Sequence, residues 1–424
     1  MKRIVLIGLD GVPFGLLKDF AESGVMPNTA SIIADGTFRN MLSSIPEISS
    51  VAWSSIITGK NPAEHGIFGF TDLFPNSYRL RFPNFSDLKS PPFWDLLDSR
   101  SVIINVPATY PVRQLNGVHI SGFVSIDLQK SVYPSSLIPK LQEFDYRLDV
   151  DSQKAHQSMD DFLVDLDDTL DARIRTYQYL WDNEDWQLFM LVFTGTDRLM
   201  HFLWEAYEDQ THKYHNAFIN HFNRIDKAIG QINEKLGKED SLFMFSDHGF
   251  ERLDKEIYIN FILQKEGFLK LSYSKEPNLT NIDYSTKAFA LDPARIYINQ
   301  QHKYPQGSVD KKDSPSVLED LEALFASLKV NGDNVIRSIY RKEEIFSGPL
   351  LEQAPDLVLV GAPHFDLKAS IKVTQVSDKG IFSGKHTQDT AFFLAKNDSS
   401  KEPVPEKLQV CDVWRVIKNT SRKG

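Results

Sequence analysis

The chain has 424 residues, a formal net charge of −10, 42% hydrophobic and 25% charged residues, and one cysteine, Cys411. That length allows one large domain or two ordinary ones, in the composition of an ordinary soluble globular protein. The acidic balance argues against a nucleic-acid polymer as partner, which would need clustered Lys and Arg. A lone cysteine excludes an internal disulfide and fits a reducing compartment.

The start, Met1 to Leu9, has two basic residues and then an apolar run, as a signal peptide does. The run stops at Asp10 with no small-residue cleavage site, so Arg3 to Leu9 reads as a first buried strand. No stretch approaches the ~20 apolar residues that span a bilayer. The expectation is a cytoplasmic protein without a membrane partner.

After Asp10, the segment Pro46 to Gly59 reads as a loop entering a short helix that stops at a glycine C-cap, with Ser49 or Ser50 at the helix start. A helix start offers free N–H groups and the positive end of a dipole, which suit a phosphate oxygen. The plain alternative is a serine N-cap. Asp72 to Pro92 is an irregular excursion rich in Pro, Asn, Ser and aromatics. Val102 to Val106 is the next strand, with Asn105 and Thr109 at its end as candidate pocket residues. Phe162 to Leu180 has apolar residues at helical spacing, as has Phe218 to Leu236. Between them Gln187 to Phe193 is a strand, followed by a Thr-Gly-Thr turn and then Asp197 and His201, four apart at the start of a helix and so on one face. The strand Ser241 to Phe245 leads into Asp247 and His248. Ser272 to Phe346 is polar, with Gln306 to Ser316 a surface loop. Two more strands follow, Asp356 to Val360 and Ala391 to Ala395, with Lys385 and His386 in the loop before the last. Cys411 falls on a terminal amphipathic helix as a buried small residue.

Short continuous apolar runs alternating with amphipathic helices predict an α/β fold: a mostly parallel central sheet with helices on both faces. We expect a single catalytic domain over residues 1–424, with inserted cap segments near 72–92 and 272–346. In such sheets sites form at the carboxyl ends of the strands. An Asp after a strand is usually an N-cap, and a single late His says little. Here Asp10, Asp197 with His201, Asp247 with His248, and His386 all fall at the same edge. Oxygen and nitrogen ligands without thiolate suit Zn²⁺, Mn²⁺ or Fe.

Five motifs in order resemble the alkaline phosphatase superfamily, and within it the type I phosphodiesterase/nucleotide pyrophosphatase family. They are Gly8-Leu9-Asp10-Gly11; Ser49 to Trp53 with Thr58-Gly59-Lys60-Asn61-Pro62 and His65-Gly66-Ile67; Thr196-Asp197 to His201; Ser246-Asp247-His248-Gly249-Phe250; and Gly384-Lys385-His386. The resemblance implies an alkaline phosphatase-like fold and two divalent metal ions, zinc first and manganese second. Asp197, His201 and His386 would hold one ion; Asp10, Asp247, His248 and the Ser49 oxygen the other. Ser49 is preferred to Ser50 as the nucleophile because the family's nucleophile stands nine residues before the Thr matched by Thr58. The implied activity is hydrolysis of a small phosphoric ester, a diester before a monoester, through a covalent phosphoserine. The alternatives are a phosphomonoesterase or phosphomutase on the same serine, or a non-catalytic protein that binds a phosphorylated ligand.

Two departures matter. Ala52 replaces the Asn that nucleotide pyrophosphatases carry three residues after the nucleophile, which argues against nucleotides. Ala391 replaces a Gly five residues past the late His, a matter of packing. The sulfatase Cys/Ser-x-Pro-x-Arg signature and the Asp-Ser-Ala of monoesterase phosphatases are absent. Arg198 and Lys385 lie beside ligand positions as candidate contacts for phosphate or as solvated charges. His65 reads as structural, and Trp53, Phe68 and Phe70 as core.

Overall fold

In a computed structural model, residues 2–397 and 404–421 are described. They group into two compact units. The first comprises Met1–Lys60, Asn84–Arg252 and Ser383–Gly424, and the second Asn61–Pro83 with Leu253–Phe382.

The first unit is built on a nine-stranded sheet. Five strands form its parallel centre, in spatial order Ser241–Phe245, Ile4–Leu9, Leu188–Phe193, Ser101–Val106 and Gly117–Ser121. Every residue of these five strands is buried. That explains their continuous apolar sequences, since both faces of a parallel sheet are covered. Ala391–Lys396, Thr37–Leu42 and Leu408–Gln409 extend one side, and Val132–Tyr133 closes the other. The last strand read from sequence, Ala391 to Ala395, is therefore present but antiparallel to its neighbour Ser241–Phe245.

Register decides where the chemistry can sit. Leu9 pairs with Phe193 and Gly8 with Phe245. Parallel strands in register end together, so Asp10, Thr194 and Ser246 emerge along one edge.

The two long helices read from periodicity are Met159–Asn183 and His215–Glu234. The first starts at Ser158, whose side chain accepts from Asp161 N–H, with Asp160 and Asp161 in its first turn facing the positive dipole end. The second buries Phe218, Phe222, Ile225, Ile229 and Ile232 at helical spacing. Each contributes roughly 1.5–3 kcal/mol by leaving water. No helix among the described residues is long and apolar enough to cross a membrane.

Helix Ser49–Thr58 is buried at all ten positions although four of them are serine and one threonine. Three of its hydroxyls bond to their own backbone: Ser54 donates to Ser50 O (2.6 Å), Ser55 to Val51 O (2.9 Å) and Thr58 to Ser54 O (2.6 Å). These back-bonds let a polar sequence enter a core. The helix ends at Gly59, in the left-handed region with φ 65°.

Trp53, fully buried on this helix, lies against the first strand at Gly8. A Cβ at Gly8 would stand 2.5 Å from the Trp53 ring. Gly8→Ala should therefore cost about 2–4 kcal/mol by overpacking. Thermal unfolding checks this, and an unchanged Tm would show that the ring can retreat.

His119 on strand Gly117–Ser121 is buried edge-on to Phe85 and Trp94. Burial, with Arg113 nearby, pushes its pKa down to about 3. A folded value below the unfolded one means that the unfolded chain binds the extra proton between about pH 6.5 and 3. Stability is then complete above pH 6.5 and falls below it by up to about 1.4 kcal/mol per pH unit from this group. Replacing it by Phe should flatten the loss between pH 6.5 and 5 by about 2 kcal/mol, measured by urea unfolding. An unaltered pH profile would remove His119 as the cause.

The second unit has its own apolar core around Ile257, Ile262, Leu263, Phe289, Ile296, Phe325 and Leu359. A four-stranded antiparallel sheet runs in the order Ala288–Leu291, Arg295–Ile298, Leu357–Gly361, Ile336–Arg341. The run Asp356 to Val360 thus forms a strand, Leu357–Gly361, but in this separate antiparallel sheet. A fully buried strand reads the same in either sheet, because only pairing partners tell them apart. Within 272–346 the structure places the three other strands of this sheet and helix Ser314–Ala326; of 72–92, hairpin Asp72–Leu73/Leu80–Arg81 lies in the second unit and turn Phe85–Asp87 in the first. His65 is fully buried here, with Nδ1 accepting from Ile67 N–H (3.2 Å). Phe68 is buried and Phe70 half-buried.

Candidate active site

All seven residues singled out as ligands or nucleophile lie in the first unit, and the fold brings them together. Asp10 leaves the first strand; Asp197 and His201 stand one turn apart on helix Gly195–Glu208. Asp247 and His248 follow Ser241–Phe245. The sequence places His386 in the loop before Ala391 to Ala395. It lies instead on strand Gly384–Thr387, which pairs antiparallel with Gly249–Arg252, Phe250 facing His386. The ribbon hands His386 back to the strand-end edge, which no local pattern around Gly384-Lys385-His386 announces.

The three histidines share one arrangement. His201 Nδ1 faces Gly384 O (3.2 Å), His386 Nδ1 faces Glu47 O (3.0 Å), and His248 Nδ1 faces Gly249 O (3.1 Å). A carbonyl only accepts, so each Nδ1 carries the proton and each Nε2 keeps a lone pair. Those lone pairs converge: His386 Nε2 is 3.0 Å from His201 Nε2 and 3.1 Å from Asp197 Oδ1. His248 Nε2 is 3.3 Å from Asp247 Oδ2, 3.8 Å from Asp10 Oδ1 and 3.1 Å from Ser49 Oγ.

Lone pairs aimed at lone pairs repel unless a cation lies among them. The carboxylates carry the same signature. Asp10 Oδ1 and Asp247 Oδ2 are buried without a hydrogen-bond partner, while their sister oxygens accept from Trp53 Nε1 (3.2 Å) and Gly11 N (3.1 Å). Burial, then Asp247 and Asp197, raise the Asp10 pKa, and burial pushes Asp247 up to about 7. Asp197 is as buried, yet His201, His386 and Arg198 hold it below the usual carboxylate range. Burial, then His386, push His248 down. The residues fit divalent cations on two counts, an all-O/N donor set and orphaned buried oxygens. Asp197, His201 and His386 form one group able to hold an ion, and Asp10, Asp197 and His248 another, each with ligand atoms within 4.8 Å of one another. Asp197 belongs to both.

Ser49 is the first residue of its helix, after extended Ile48. Val51 and Ala52 N–H both donate to Ile48 O (3.0 Å each), which leaves the N–H groups of Ser49 and Ser50 outside the intrahelical ladder. Ser50 Oγ is buried without a partner.

Sequence reasoning missed the support around these groups. Thr196 Oγ1 donates to Asp10 O (2.6 Å). Trp53, read only as core, donates to Asp10. Arg198 is not a solvated charge: NH1 donates to Asp197 Oδ2 (3.0 Å), Nε and NH2 to Asp149 Oδ2 (3.1 and 2.9 Å), and Phe123 stacks on it. Lys385 is buried and paired with Glu251 (3.2 Å), its partner across the ribbon. Asn105 and Thr109 are fully buried. Asn105 Nδ2 donates to Val192 O and Thr194 Oγ1, and Thr109 Oγ1 to Val106 O. Cys411 is half-buried on a short turn, Val410–Asp412, ahead of the terminal helix. The only hint in the sequence was the adjacency of Thr196, Arg198 and Lys385 to ligand positions.

A mostly parallel sheet with an Asp/His cluster and a helix-start serine at its carboxyl edge defines an alkaline phosphatase-like hydrolase. The chain belongs to the type I phosphodiesterase/nucleotide pyrophosphatase family, which it matches over residues 4–389. A comparison with curated protein sequences gives no match. Among solved structures it resembles phosphonoacetate hydrolase from Sinorhizobium meliloti 1021 in complex with phosphonoformate, at 14% identity and TM-score 0.66, covering 99% of this chain and 96% of the other. Murine ectonucleotide pyrophosphatase/phosphodiesterase 5, an inactive variant with AMP, matches at 13% identity and TM-score 0.55, covering 99% and 95%. The human counterpart matches at 15% and 0.54, covering 98% and 94%. The protein is an enzyme that hydrolyses phosphoric esters.

Proposed function

We propose that the protein is a two-metal phosphodiesterase acting on a small diester through a Ser49 phosphoserine. The observation that carries this is the convergence of three Nε2 lone pairs and the orphaned carboxylate oxygens of Asp10 and Asp247 beside Ser49 Oγ. Asp197, His201 and His386 would hold one divalent ion, and Asp10, Asp247, His248 and Ser49 Oγ the other. When bound, zinc or manganese ions neutralise phosphoryl oxygens and lower the serine pKa.

The residues supply the rest. Ser49 Oγ attacks phosphorus, and the helix-start N–H groups beside it receive the equatorial oxygens. Nδ1–H bonds to Gly384 O, Glu47 O and Gly249 O hold the imidazoles in one tautomer. His248 Nε2, 3.1 Å from Ser49 Oγ, serves with it as a fellow donor atom, not as a base. The alkoxide of one ester arm leaves as the Ser49 Oγ–P bond forms, so the serine carries a phosphoryl group that keeps the other arm. Water then cleaves the Ser49 Oγ–P bond and releases a phosphate monoester, and the two displacements give retention at phosphorus.

Charge favours a diester. The cations beside the cluster, Arg198 and Lys385, are engaged by Asp149, Asp197 and Glu251, which suits a singly charged substrate better than a dianionic monoester. Ala52, fully buried three residues after Ser49, offers no side-chain donor where nucleotide pyrophosphatases carry Asn. A small phosphoryl substrate also agrees with the phosphonoacetate, phosphonoformate and AMP held by the similar structures. The single cysteine supports a cytoplasmic setting.

The test is turnover of bis-p-nitrophenyl phosphate beside p-nitrophenyl phosphate with metal-loaded protein. Faster diester cleavage is expected. Faster monoester cleavage would move the assignment to a phosphatase or mutase, and silence on both with two ions bound would leave a ligand-binding protein. EDTA should abolish turnover, and Zn²⁺ or Mn²⁺ should restore it; activity that survives complete metal removal would end the two-metal reading.

A further inference from the structure

The first unit holds a second buried polar site away from the nucleophile. It is a cavity with room for the centre of about one water-sized particle (≈ 10 Å³), lined by Thr169, Arg173, Thr194, Gly195 and His221 among apolar side chains. Three observations there point the same way. Helix Gly195–Glu208, 14 residues long, begins at this cavity, and its N-cap Thr194 makes no side-chain capping bond. No cap side chain therefore takes up the first N–H groups of the helix, and the one acidic residue of its first turn is Asp197.

His221 is 2% exposed, and neither ring nitrogen has a hydrogen-bond partner. A neutral imidazole carries one N–H, and a core with that donor unpaired forfeits a hydrogen bond it had in water. Arg173 is 3% exposed and donates only to neutral acceptors, Tyr146 Oη (2.5 Å) and Arg147 O (3.3 Å). Among the described residues no carboxylate lies within ion-pair distance of it. The nearby acids are engaged elsewhere: Asp149 by Arg198, and Asp165 by Arg147 and Lys154. Asp149 acts on Arg173 only from beyond ion-pair distance, so the buried guanidinium lacks a direct counter-ion, a cost that an anion in the cavity would offset.

We propose that this cavity is a halide site, in which a chloride-sized anion accepts from Arg173, His221 and the opening N–H groups of helix Gly195–Glu208. Its size excludes oxyanions such as phosphate. Because Asp197 and His201 stand on the first two turns of that helix, the anion also ties down the segment that presents them. The site does not depend on the metal reading.

Bromide is the probe. Crystals of the metal-loaded enzyme in sodium bromide should show an anomalous peak in this cavity, within hydrogen-bonding reach of Arg173 and His221 and apart from any peak at the metal cluster. In solution, replacing sodium gluconate with sodium chloride at equal ionic strength should raise Tm by about 2–4 °C. Arg173→Met and His221→Phe should lose that increment while keeping any increment due to halide at the metals. Ordered water without anomalous signal overturns the proposal, as does a wild-type Tm indifferent to halide. If Arg173→Met does not fold, the wild-type bromide map alone decides.

Discussion

Ser49→Ala should reduce kcat/KM by about 10⁴-fold or more while leaving two metal ions bound. The substitution removes one oxygen at the first position of a buried helix in which Ser54, Ser55 and Thr58 bond to their own backbone. The helix should therefore stand, and Tm should move by less than a few degrees. Metal content by elemental analysis separates loss of the nucleophile from loss of the site, since Asp10, Asp197, Asp247 and three imidazoles remain. Incubation with a diester substrate and acid quench should trap Ser49 carrying the singly esterified phosphoryl group in wild type and none in the variant. Ser50 is the control that decides register. Its Oγ is buried without a partner, and Ser50→Ala should stay active. A dead Ser50→Ala beside an active Ser49→Ala would move the nucleophile by one residue.

Asp197→Asn should lose metal and activity together. Asp197 Oδ1 lies 3.1 Å from His386 Nε2 and 3.5 Å from His201 Nε2, and it belongs to both candidate ion groups. Its Oδ2 is held by Arg198. The amide keeps the shape but gives up the charge that offsets the cations. The variant should bind at least one ion about 10²-fold more weakly and lose at least about 10³-fold in turnover. Chelator competition measures the first and steady-state kinetics the second. Full occupancy of both ions in Asp197→Asn would remove Asp197 from the ligand set.

Much of the fold was legible because its signals are local. Ile4–Leu9, Ser101–Val106, Leu188–Phe193 and Ser241–Phe245 are short, continuous and apolar, which two-sided burial demands. Helix Ser49–Thr58 showed its C-cap glycine and its start. Candidate ligands were legible for a topological reason: parallel strands in register end at one edge, so an Asp or His just past each strand lies near the others.

The remainder depended on which distant segments meet. Leu357–Gly361 has the same sequence character as a central strand, and only its partners Arg295–Ile298 and Ile336–Arg341 place it in an antiparallel sheet. His386 reaches the cluster because Gly384–Thr387 pairs with Gly249–Arg252, more than 130 positions earlier in the chain. Imidazole tautomers follow from the carbonyls of Gly384, Glu47 and Gly249, two of them far from their histidines in sequence. Arg198 is a clamp on Asp197 only because Asp149 arrives beside it. Residue type and local periodicity thus set the strands, helices and ligand chemistry of this protein. Pairing, tautomer and the partner of each buried charge are long-range contacts, which carry no periodic signature and which the tertiary structure alone decides.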